Sequence, residues 1–79
     1  MLGFIYRLVR EFELEHGISP NLLYLNRLHA ENLKASFDQD YSMSQIMNVM
    51  RMELIIDNDI MHPRVAWSQV AEMERAVSF

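Results

Sequence analysis

The sequence predicts a small α+β domain, and three observations carry that prediction. Helical three-and-four spacing of apolar residues runs from the start. Two short apolar runs bounded by turn chemistry read as strands, Leu22 to Leu25 and Met52 to Asp57. Between them lie two helical patterns, a crossover that favours parallel, right-handed pairing of the strands. The expected order is helix, strand, helix, helix, strand, a short edge strand and a C-terminal helix, all within one domain spanning residues 1–79.

In the first element Leu2, Ile5, Leu8, Val9 and Phe12 share one face, with Arg7, Arg10, Glu11 and Glu15 mostly on the other. Gly17 is suited to a left-handed C-terminal cap, and Pro20 blocks continuation, so the helix should end near His16. Leu22-Leu23-Tyr24-Leu25 is too short for a helix and apolar throughout, which makes it a central strand. Asn26 is a good N-cap for a second helix through Phe37, with Ala30, Leu33 and Phe37 facing inward and Glu31, Asn32 and Lys34 in water.

Asp38-Gln39-Asp40 breaks that helix, and Ser42 with Gln45 three residues later is a capping-box pattern. Met43, Ile46, Met47 and Met50 then repeat at helical spacing. The second strand follows, closed by the turn residues Asp57-Asn58-Asp59. Pro63 fixes its own backbone and biases His62 to extended geometry, so Ile60 to Trp67 reads as a short edge strand or an arm folded back on the second strand. From Ser68 to Phe79, Val70, Met73 and Val77 mark one face of a final, partly ordered helical tail.

Composition narrows function. The chain has 79 residues, 51% hydrophobic, with no cysteine, which excludes a disulfide scaffold, a thiolate metal site and a catalytic thiol. A core this small leaves a thin margin over roughly 1.5 kcal/mol of ordering entropy per residue, so partner chains are an expected source of stability. The net charge of −4, with 7 basic residues scattered along the chain, argues against nucleic acid. One of those bases is lysine, Lys34, and six are arginine, the cation better suited to protein interfaces. Arg7 comes too early for a secretory signal, and no stretch approaches the about 18 apolar residues of a membrane span, so a cytoplasmic protein is expected.

The chemistry-bearing candidates are few. Three histidines each lie near an acid, and Asp57, Asp59 and His62 would surround a divalent ion if their turn curled inward, with His16 or His29 brought close by the fold. That is the alternative reading, a small metal-binding protein or metal-dependent hydrolase. Against it, Asp and Asn after a strand serve local hydrogen bonds to backbone. No His-Glu-x-x-His segment is present, and the stretch from Asp38 has Met43 and Val49 where a calcium loop needs Gly and Glu. With Gly3 and Gly17 the chain's two glycines, a glycine-lined phosphate cradle is excluded. No catalytic residue and no cofactor is expected.

Surplus apolar surface points to protein partners instead. Phe4, Tyr6 and Leu14 lie off the main stripe of the first helix. Of seven methionines five fall between Met43 and Met61; Met43, Met47 and Met50 match an inward stripe, while Met61 and Met73 flank turn and tail. The expectation is a non-catalytic, self-associating interaction module, most simply a homodimer, using Ile5, Phe12, Met61 and Trp67. An acidic regulator of a basic protein surface is a further reading that the charge permits.

The segment from Glu13 to Asn26, with its His16-Gly17-Ile18-Ser19-Pro20-Asn21-Leu22-Leu23-Tyr24-Leu25-Asn26 core, continued by Met52 to Asp57 and His62-Pro63, resembles a family of short uncharacterised bacterial proteins. That resemblance covers most of the chain and implies no activity. A local stretch is also similar to part of the tailed-phage capsid fold, in which a helix leads to an apolar strand ending in Asn, a helix, a strand and a Pro-containing arm. Leu22 to Asn26 and Met52 to Pro63 hold those places here, with Arg51 and Met52 where that fold has Gly. Likeness of fold does not carry function.

Overall fold

A computed structural model describes residues 1–69. Among these residues three helices and a three-stranded mixed sheet make a small α+β domain: α1 (Leu2–His16), β1 (Leu22–Leu25), α2 (Arg27–Ala35), α3 (Met43–Met50), β2 (Glu53–Ile56) and β3 (Arg64–Ala66). The expected tail helix falls, from Val70 onward, outside the described residues.

Each helix boundary has a local cause. Gly17 adopts φ 72°, and its N–H donates to Glu13 O at 2.8 Å, which closes α1 where the sequence indicates. Asn26 caps α2, its side-chain oxygen accepting from His29 N at 2.8 Å. The helix ends at Ala35, short of the expected Phe37, because the N–H groups of Ser36 and Phe37 bond back only three residues, to Leu33 and Lys34. Phe37 leaves the helix and still packs on the core. The Ser42–Gln45 capping box forms in both directions. At the other end of α3, Arg51 takes φ 58°, the left-handed conformation a glycine would adopt without strain, and turns the chain straight into β2.

The strand order is β2-β1-β3, so β1 is central as expected. β1 and β2 run parallel, with Leu23 opposite Leu54 and Leu25 opposite Ile56. β3 pairs antiparallel with β1, Leu23 opposite Val65. The expected short edge strand forms, and the alternative of an arm folded back on the second strand is corrected, since its partner is β1. The reason is the path of residues 57–63, which pass across the C-terminal end of β1 rather than turning back beside β2. Asp57 N donates to Leu25 O at 2.8 Å, Arg27 N to Asn58 Oδ1 at 2.9 Å, and Asn26 Nδ2 to Ile60 O at 3.1 Å. Pro63, buried, then releases the chain on the far side.

Because side chains alternate along a strand, Leu23, Leu25, Leu54, Ile56 and Val65 share one face. α1 packs against β3, α2 against β1 and α3 against β2. Ile5, Leu33, Ile46, Met47 and Met52 join Leu23 and Leu25 in one buried cluster, with Val9, Ala30, Met43, Met50, Leu54 and Val65 around it. Each fully buried Leu or Ile contributes about 1.5–3 kcal/mol. The opposite sheet face carries Leu22, Tyr24, Glu53, Ile55, Arg64 and Ala66, with the Arg64 guanidinium 6.0 Å from the Tyr24 ring centre.

Candidate functional site

Both ends of β1 are fastened by an asparagine. At the N-terminal end Asn21 is buried, and its side chain exchanges two hydrogen bonds with the Ser68 backbone: Nδ2 donates to O at 2.9 Å and Oδ1 accepts from N at 2.8 Å. Its own backbone N–H donates to Ala66 O, and its carbonyl accepts from Glu53 N, so one residue holds both edge strands. At the C-terminal end Asn26 combines the α2 cap with the bond to Ile60. The sequence identifies the Asn26 cap. The long-range partners, 47 and 34 residues away, leave no periodic signal.

The four expected interface residues separate. Ile5 is fully buried in the chain's own core, a correction with a simple cause: it lies at the centre of the α1 stripe, where the sheet covers it. Phe12 is half-buried, its ring centre 4.3 Å from that of His16. Met61 is 82% exposed on the crossing loop, and Trp67 is 41% exposed just beyond β3. These do not form one patch with Ile5. Exposed apolar groups do occur elsewhere on α1, at Phe4, Tyr6 and Leu14, and Arg7 lies over the Phe4 ring at 5.5 Å.

The three expected metal ligands do not converge. Asp57 Oδ1 accepts from Asp59 N at 3.0 Å, the local turn bond that competes with metal binding. Asn58 is committed to Arg27. Among the described residues no group of three or more His, Asp and Glu side chains is placed to hold a metal ion. Of the two further histidines, His16 is exposed at the end of α1, and His29 lies in the first turn of α2 with its Nδ1 buried and without a hydrogen-bond partner among the described residues.

What the sequence did not single out is the outer edge of β2. Ile55 and Ile56 are exposed there on opposite faces. Two shallow clefts flank this edge. One, of about 520 Å³, lies between α3 and β2 and is lined by Met43, Met47, Met52 and Leu54 with Ser44 and Asn48. The other, of about 470 Å³, runs from Ile56 and Asn58 to Ala30 and Lys34 of α2. The signal available in the sequence was a strand with two consecutive β-branched residues and no Lys or Pro to guard it.

Comparison with protein-family models, with curated proteins and with solved structures finds no match to this chain. Among the described residues no helix is long and apolar enough to cross a membrane.

Proposed function

We propose that this protein is a non-catalytic interaction module whose partner is protein, in the first instance a second copy of itself. The observation that carries the reading is the balance of apolar surface. Among the described residues eleven large hydrophobic side chains are exposed, against eight core hydrophobic residues buried. A domain with so thin a core gains stability by covering part of that surface, and protein is the partner whose chemistry matches it. A cytoplasmic setting is part of the same proposal.

Sedimentation and light scattering over a hundredfold concentration range from the low micromolar test the reading. A mass rising from 9.4 kDa towards twice that value supports it. A constant 9.4 kDa contradicts self-association.

A further inference from the structure

The geometry points to the outer edge of β2 as the surface on which two copies meet, pairing antiparallel about a two-fold axis at Leu54 to make one continuous six-stranded sheet; this rests on the self-association just proposed. The phase of the strand is the first ground. Glu53 N donates to Asn21 O at 2.9 Å and Asp57 N to Leu25 O at 2.8 Å, so both point into β1. Each peptide is planar and trans, so the carbonyls of Met52 and Ile56 point the other way, out of the sheet. By the two-residue alternation of a strand, Leu54 and Ile56 N–H groups point out too. Among the described residues nothing pairs with this row.

Self-complementarity is the second ground. An antiparallel pair centred on Leu54 sets the Leu54 N–H and C=O of each copy against those of the other, and each Ile56 N–H against the other copy's Met52 C=O. The same register sets Glu53 opposite Ile55 and brings Arg51, the left-handed cap just before β2, to the end where Asp57 of the second copy follows β2, twice by symmetry. Centring on Ile55 instead opposes Glu53 to Asp57, and centring on Glu53 opposes that acid to itself. Charge therefore selects the Leu54 register, and the strand is complementary to its own copy.

The third ground is the contrast with the sheet's other edge. β3 is three residues long, follows Pro63 and begins with the exposed Arg64, all features that discourage pairing. β2 is one residue longer, contains no Pro, and bears a single charged residue, the half-buried Glu53. Above its edge the α3 residues Ser44 and Asn48 are short, leaving the cleft over Met52 and Leu54 open to the second copy's α3.

Two variants and a rescue test the proposal. Ile56→Pro removes an outward N–H that no bond among the described residues uses, and should weaken the dimer on the order of a hundredfold by deleting two symmetric bonds. Asp57→Arg turns both cross-copy pairs repulsive and should weaken it on the order of tenfold, while Arg51→Asp combined with Asp57→Arg should restore it. Should Ile56→Pro fail to fold by circular dichroism, the charge swap decides alone. If the wild type stays at 9.4 kDa throughout, both the edge and self-association fail. If the wild type dimerises and the variants do so equally well, or the swap does not restore pairing, the edge is overturned and self-association stands.

Discussion

β1 and β2 have the same length, four residues each, and opposite situations. β1 has a strand on either side, an asparagine at each end and three of its four residues buried. β2 has a strand on one side, no fully buried residue and two exposed isoleucines. The difference teaches that composition alone does not set a strand's role. Leu-Leu-Tyr-Leu and Glu-Leu-Ile-Ile are similarly apolar, yet the first holds the domain together and the second has one edge without a strand partner among the described residues.

The largest effect should come from deepening the contrast between the two strands. Leu23→Ala removes a fully buried side chain and should destabilise the fold by about 2–5 kcal/mol, whereas Ile55→Ala on the open face should alter it by less than about 1 kcal/mol. Urea unfolding of both variants checks this; similar losses would mean that β2 is as much a core strand as β1.

Next is the fastening of β1. Asn21→Ala leaves the Ser68 N–H and C=O without partners and should destabilise by about 2 kcal/mol. Asn21→Asp keeps the acceptor for Ser68 N but sets a buried carboxylate oxygen against the Ser68 carbonyl, so it should lose at least as much. Thermal melts rank the three proteins.

At the other end, Asn26→Ala removes the α2 cap and the Ile60 bond together, at about 1–2 kcal/mol, and Asn26→Asp, which retains the cap, should recover about 1 kcal/mol of that. Equal losses for Ala and Asp would put the whole effect in the strap to Ile60. The smallest effect concerns α1: Leu14→Ser, on a side chain 78% exposed and remote from β2 in the chain, should leave both stability and the mass distribution unchanged by sedimentation. A loss of dimer there would move the interface to the helix.

The sequence made the local features of this fold legible and concealed the distant ones. Gly17 after the α1 stripe, the Ser42–Gln45 reciprocity and the apolar run at β1 each depend on neighbours within a few residues, and each appears as expected. The parallel pairing of β1 and β2 was also readable, since two helices between two strands demand a crossover. The partner of β3 was not, because pairing with β1 requires residues 57–63 to cross the end of that strand, and the bonds to Asn26 and Leu25 that direct them come from far along the chain. Ile5 shows the same limit from another side. An apolar stripe says that a face is covered, and cannot say whether the cover is the chain's own sheet or a second molecule.

The most direct test of the account is residue-resolved amide hydrogen exchange along β2 at several protein concentrations. Glu53 and Ile55 N–H, which face β1, should be protected at every concentration. Leu54 and Ile56 N–H should exchange freely when dilute and become protected as concentration rises. Protection of Leu54 and Ile56 that is already complete in dilute solution, or that never develops while the mass doubles, would contradict the pairing of β2 with a second copy.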